Sequence, residues 1–385
     1  MLMKKAYCLL FIAMYCFAMA SHATPNNKHF VAAKKEQPTI TKIFYGETEG
    51  KKIYQYTLKN SNGMLVKVIN YGGTITDIFT PDKNGQPGDV VLGFDSLKSY
   101  ISKENARMGA IRGRVTNRLA NNQFSIDGKE YNVITSKNGE VWGINKRIWN
   151  IEEIPGKNEV GLKVTYLSKD GEDGYPGNLN LTVIYTLTNT NELKVNYTAT
   201  TDKTTPVVLT SHSYFNLSGG QDNTVLNTEL TLAADQYLEA DKGGYPSGKY
   251  LDVKGTPFDF TSPEKIGKRI GDSNNQLIWG GGYDLTFVLR SKTGKLAYAA
   301  TAYEPLSGRV MQVYTTEPGL ILFTGNGFNN KIAGKGGKTF PKYGSFCLET
   351  QHFPDSPHHP EFPTVMVRPG ETFSSQTIFK FSVRK

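Results

Sequence analysis

Four groups of polar residues stand where side-chain chemistry is plausible. Glu349 directly follows the apolar run Phe346-Cys347-Leu348. A run of that kind reads as a buried strand, and a carboxylate at its end must be paired, hydrogen-bonded or functional. His212 lies in LTSHSYFNLSGG (209–220), and strand alternation puts it on one face with Tyr214. Asn117 and Arg118, in GRVTNRLANNQF (113–124), set an amide beside a guanidinium, a donor set suited to sugar hydroxyls or a carboxylate. Asp284 follows Gly280-Gly281-Gly282-Tyr283, where glycines let the backbone approach a ligand. A carboxylate and an imidazole are side chains of general acid–base catalysis. Each group also has a structural reading: a strand-end acid held by backbone donors, a half-buried histidine, a surface ion pair and a turn aspartate.

Other chemistries lack their residues. The sequence has no Cys or His array with metal-ligand spacing, no Gly-rich phosphate loop and no Gly-x-Ser-x-Gly. No cofactor is therefore expected. The loop after Glu349 holds His352, His358 and His359 among Pro354, Pro357, Pro360 and Pro363. These histidines are expected to be exposed and not to act as ligands. The prolines restrict the loop and hold the surroundings of Glu349 in place.

The elements that must position these groups read as strands. Residues 53–58 and 64–69 flank Ser61-Asn62-Gly63 as a hairpin. Residues 124–126 and 131–133 flank Asp127-Gly128, 181–187 and 193–197 flank Asn189-Thr190-Asn191, and 296–303 and 310–314 flank Leu306-Ser307-Gly308. Helical periodicity is confined to short pieces near 95–104 and 263–268. Many short strands without intervening helices argue for an all-β, antiparallel architecture. One large β-sandwich domain over 38–385 is the simplest arrangement.

The first residues have another layout. Lys4 and Lys5 precede an apolar run from Cys8 to Met14, and Ala18-Met19-Ala20 and Ser21-His22-Ala23 follow. That is the pattern of a secretory signal peptide over 1–23, too short to span a bilayer comfortably. A polar leader over 24–37 comes next, and a periplasmic location with no membrane span after cleavage is expected. Of three cysteines, two lie in the signal segment, so Cys347 remains alone as a small core residue. The net charge is +9, or +7 without Lys4 and Lys5, and it is spread along the chain. Nucleic acid is not expected as a partner.

Taken in order, eight stretches resemble the aldose 1-epimerase (galactose mutarotase) family over nearly the whole chain after the leader. They are INYGGTI (69–75), GRVTNRLA (113–120), SKDGEDGYPGNL (168–179), LTSHSYFNLSG (209–219), GTPFDF (255–260), GGYD (281–284), TTEPG with TGN (315–319, 324–326) and GSFCLETQHFPDSP (344–357). The resemblance implies a large antiparallel β-supersandwich with a monosaccharide in a cleft on one sheet. It implies interconversion of the α and β anomers of a free aldose without metal or nucleotide. Carried over by motif, Glu349 is the base at the C1 hydroxyl and His212 the acid at the ring oxygen. Asn117, Arg118 and Asp284 hold sugar hydroxyls. A monomer or weak dimer is expected.

Three departures qualify that picture. The family's Leu-His-Gly-Gly is replaced by Val141-Trp142-Gly143-Ile144. Its second histidine is thereby lost, and Trp142 either stacks on the sugar or plugs the cleft. Asp284-Leu285-Thr286 stands where Asp-His-Asn is usual, and Ile321 replaces a glutamine. The expectation is retained chemistry with an altered sugar preference. A non-catalytic carbohydrate-binding protein on the same fold is the alternative. A glycoside hydrolase would need two carboxylates across one bond, and Asp284 with Glu349 is the one pair on offer.

Overall fold

The alternation read from the sequence becomes three large sheets and three two-stranded ones in the computed structural model, which describes residues 36–134 and 143–385. The proposed signal peptide, most of the leader and Trp142 lie outside the described residues. The largest sheet has nine strands, in the order Glu264–Lys265, Glu229–Leu232, Ala297–Tyr303, Arg309–Thr315, Thr372–Val383, Glu192–Thr201, Leu179–Thr188, Glu159–Ser168 and Asn150–Ile154. Its pairings are antiparallel.

Two central strands show what drives its formation. Along Leu179–Thr188, Leu179, Leu181, Val183, Tyr185 and Leu187 are buried and the intervening residues are less so. Across the ladder, Leu181 faces Ala199, Val183 faces Tyr197 and Tyr185 faces Val195. Each such side chain contributes roughly 1.5–3 kcal/mol on burial, so a one-residue slip would expose a whole face. The turn Asn189-Thr190-Asn191 closes this hairpin, with Asn191 in the left-handed region. The other three expected hairpins also form, as Lys51–Lys59 with Leu65–Ile69, Gln123–Ile126 with Lys129–Asn132, and Ala297–Tyr303 with Arg309–Thr315.

A second sheet of five strands covers the N-terminal part from Thr39–Thr48 to Pro87–Asp89. The third carries the chemistry. Its order is Pro246–Asp252, Ala234–Ala240, Asp284–Leu289, Gly319–Phe323 and Cys347–Gln351. One face packs on the nine-stranded sheet: Leu348 shares a core cluster with Phe379 and Phe381, and the Thr350 and Thr377 hydroxyls meet at 2.5 Å. The opposite face is left to the cleft. Helix is scarce, as expected: Leu97–Ile101 and Asn275–Gly280 are the two α-helices among the described residues. The second was not expected. Asn274 caps it through its side chain and Gly281 ends it in the left-handed region.

Candidate active site

Strand register brings the expected residues to one face. Asp284 pairs with Phe323, and Phe323 with Cys347; Thr286 pairs with Ile321, and Ile321 with Glu349. Because side chains alternate, Asp284, Thr286, Phe323, Ile321, Cys347 and Glu349 share that face. His212 arrives from a different part of the chain. Phe215 and Phe346 exchange backbone hydrogen bonds of 2.7 and 2.9 Å, which fixes residues 212–215 against the start of Glu349's strand. Thr210–Ser211 pairs with Ile111–Arg112, and the His212 amide donates to the Ala110 carbonyl at 3.0 Å. The His212 ring stacks on Tyr214, with centroids 4.7 Å apart and planes 8° apart.

His212 Nε2 then lies 3.6 Å from Glu349 Oε1. Both side chains are nearly enclosed, at 12% and 7% exposure. They line an open cleft of about 510 Å³ with Arg107, Arg112, Thr116, Asn117, Arg118, Tyr214, Asp284 and Phe323. A contiguous recess adds Ile321, Thr286 and Pro354, so the proline-rich loop contributes to the wall through Pro354. A larger cavity lies elsewhere, and of its two lysines, Lys335 and Lys338, the first is already neutralised: Lys335 Nζ sits 2.5 Å from Asp89 and 3.4 Å from Asp77.

Burial sets the electrostatics. It pushes the Glu349 carboxyl up to about 7; Arg112 and Arg107 oppose the rise and Asp284 adds to it. It pushes His212 well below the ordinary imidazole value, and Arg112 and Arg107 push the same way. Asp284 is also raised by burial, against the pull of Arg118, whose Nη2 lies 4.0 Å from its carboxylate. Near neutral pH, burial therefore favours a neutral imidazole beside a partly protonated carboxyl.

Cys347 Sγ lies 3.5 Å from His212 Nδ1. His212, Cys347 and Glu349 offer ligand atoms within 4.8 Å of one another. The thiol is on the Nδ1 side of the ring and the carboxylate on the Nε2 side, so the donors flank the imidazole rather than converge on one point. Burial also raises the thiol well above its ordinary value, away from the thiolate a metal needs. The arrangement suits proton transfer better than ion binding.

Residues 54–380 match the family model described as Aldose 1-epimerase. The chain belongs to the aldose 1-epimerase family. It is accordingly an isomerase that interconverts the anomers of a free aldose. Relatives of the epimerase include galactose mutarotase of Homo sapiens, 40% identical over 352 residues, covering 90% of this chain and 99% of that protein. Aldose 1-epimerase of Escherichia coli is 35% identical over 333 residues, covering 84% and 94%. The solved galactose 1-epimerase from Lactobacillus acidophilus superposes with a TM-score of 0.79 at 26% identity, covering 90% of this chain and all of that one.

Among the sequence candidates, the epimerase fold brings Glu349, His212, Asn117, Arg118 and Asp284 to one cleft. Asn117 is in the left-handed region, at φ 68°, and Arg118 Nη1 donates to its side-chain oxygen at 3.4 Å. The histidines of the 346–363 loop differ from expectation. His358 is exposed, but His352 and His359 are half-buried. His352 Nδ1 sits 2.6 Å from Glu317, His358 Nδ1 2.6 Å from Asp355, and His359 Nδ1 2.8 Å from Glu361. Carboxylates supplied by distant residues or by the loop itself fold these rings inward. Asp355 also accepts from the Ala120 amide, which ties the loop to the Asn117-Arg118 segment.

Sequence reading missed Arg107 and Arg112. The signal was present for Arg112: a guanidinium inside the apolar stretch Gly109-Ala110-Ile111-Arg112-Gly113.

Proposed function

We propose that Glu349 and His212 are the acid–base pair of this epimerase, sharing one proton through the reaction. The supporting observation is their 3.6 Å separation inside the cleft. The hydroxyl oxygen and the ring oxygen of an aldose are bonded to the same carbon, C1, so two groups this close can serve both. Glu349 takes the C1 hydroxyl proton and His212 gives one to the ring oxygen. The C1–O5 bond breaks, and C1 becomes an aldehyde. After rotation about C1–C2, the O5 hydroxyl adds to the other face of the carbonyl, returning its proton to His212 while Glu349 reprotonates O1. The pair thus alternates between carboxylate with imidazolium and carboxylic acid with imidazole. For Glu349 to act as base, the proton that burial favours on it must pass to His212 as the sugar enters.

In this reading Asn117, Arg118 and Asp284 hold hydroxyls and fix the ring, where ~1 Å of misplacement costs ~100-fold in rate. Trp142 supplies an apolar face for stacking in place of the lost histidine. The signal-like segment directs export to the periplasm, and the N-terminus of the exported protein, read by mass spectrometry, tests that part.

The decisive experiment is mutarotation of freshly dissolved α-galactose and α-glucose, followed by polarimetry. Glu349→Gln is expected to lower kcat by about 10³-fold, within the range of general acid–base catalysis. The active pair needs its one proton, so kcat/KM of the intact enzyme is expected to fall as pH rises through about 7. A protein-dependent rate unchanged in Glu349→Gln would sink the assignment. A rate equal to buffer with every aldose would favour the sugar-binding alternative.

A further inference from the structure

Arg112 is only 4% exposed, yet among the described residues no hydrogen bond or ion pair holds its guanidinium. Other deeply buried arginines behave differently. Arg114 donates to the carbonyls of Ser168, Lys169, Pro176 and Gly177 and to the Ser168 hydroxyl. Arg309 donates to the carbonyls of Thr80, Leu217 and Gln86. A buried guanidinium that donates no hydrogen bond, its charge met only through space by Glu349, keeps its full donor capacity for a ligand. The Arg112 side chain lines the cleft with His212 and Glu349. Of the two carboxylates that line the cleft, Asp284 is already beside Arg118.

The place of Arg112 indicates which part of a sugar it would meet. Arg112 pairs with Thr210, and Ala110 receives the His212 amide. Arg112 and His212 therefore project from the same face of one ladder, side by side. If His212 serves the ring oxygen and Glu349 the hydroxyl on C1, the neighbouring guanidinium is left to face a substituent on C5, the other ring atom bonded to that oxygen. In a neutral hexose this substituent is a hydroxymethyl group; in a hexuronic acid it is a carboxylate. A planar guanidinium matches a carboxylate with paired, charge-assisted hydrogen bonds.

We propose that the preferred substrate is an aldose carrying a carboxylate on C5, a hexuronic acid, with Arg112 as its specificity-determining residue. The proposal rests on the acid–base reading of the same cleft and deepens it. No step of the reaction changes, because the carboxylate binds and does not react.

The test compares matched pairs that differ at C6 alone: galacturonate with galactose, and glucuronate with glucose. Wild-type kcat/KM for mutarotation is expected to favour the uronate of at least one pair by tenfold or more. Arg112→Met is expected to lower kcat/KM for that uronate by ~100-fold and for the neutral sugar by less than tenfold, with Arg112→Lys in between. The wild-type ratio needs no variant, so a misfolded substitution leaves the proposal testable. Neutral aldoses turned over as well as or better than both uronates would overturn it while leaving the acid–base reading intact. An equal loss for both sugars in Arg112→Met would also overturn it, since Arg112 would then act on the catalytic pair alone. Absence of turnover for every sugar would instead remove the acid–base reading on which the proposal stands.

Discussion

Arg112 and Arg114 are two residues apart and both are buried, but they belong to opposite regimes of the molecule. Arg114 turns away from the cleft and saturates itself with five acceptors in the 168–177 turn. There the guanidinium replaces water for a turn whose carbonyls point inward. Arg112 lines the cleft and, among the described residues, finds no such acceptors. The same residue type on the same short segment is a fastener on one side and an unmet charge on the other. What separates them is the supply of acceptors, because a buried charge stabilises only when its whole hydrogen-bonding capacity is used.

Stability measurements can break that comparison. Arg114→Met leaves four inward carbonyls without their donor and is expected to cost on the order of 4 kcal/mol in urea unfolding. Arg112→Met removes an unmet buried charge and is expected to leave stability unchanged or raise it. Equal losses in the two variants would show that the distinction is false.

Glu349 sharpens the same contrast, with a somewhat smaller effect. Its carboxyl sits at about 7 when folded, against an ordinary 4.5. Between those values the folded state holds more protons than the unfolded state, so the stability contributed by this group is present below pH ~4.5 and is lost as pH rises through about 7. Glu349→Gln is therefore expected to be more stable than the intact enzyme by on the order of 3 kcal/mol at pH 8, with the gain vanishing near pH 4. A stability difference independent of pH would mean that the carboxyl is not raised.

The smallest effect belongs to the rim. Arg118 and Asp284 are each about a quarter exposed and 4.0 Å apart, so their pair contributes little to the fold. Arg118→Gln is expected to change stability by less than ~1 kcal/mol while raising KM roughly tenfold. A large drop in melting temperature would make Arg118 a fastener like Arg114.

Much of this was legible in the chain. The all-β architecture followed from period-two alternation and turn residues, which are local. Glu349 was legible because a carboxylate after Phe346-Cys347-Leu348 is out of place in a buried strand. The His212–Tyr214 face followed from alternation and is seen as stacked rings. The helix at Asn275–Gly280 was missed because six residues give too little periodicity to read.

The sequence by itself determined which residue types were available and which face of each strand they occupy, since those depend on neighbours a few positions away. Tertiary structure alone decided their company. It brought His212 to Glu349 through the Phe215–Phe346 bridge, turned His352 onto Glu317, and gave Arg114 acceptors that Arg112 lacks. Proton affinities and unmet charges arise from burial and from through-space partners, and those exist only after distant segments have packed.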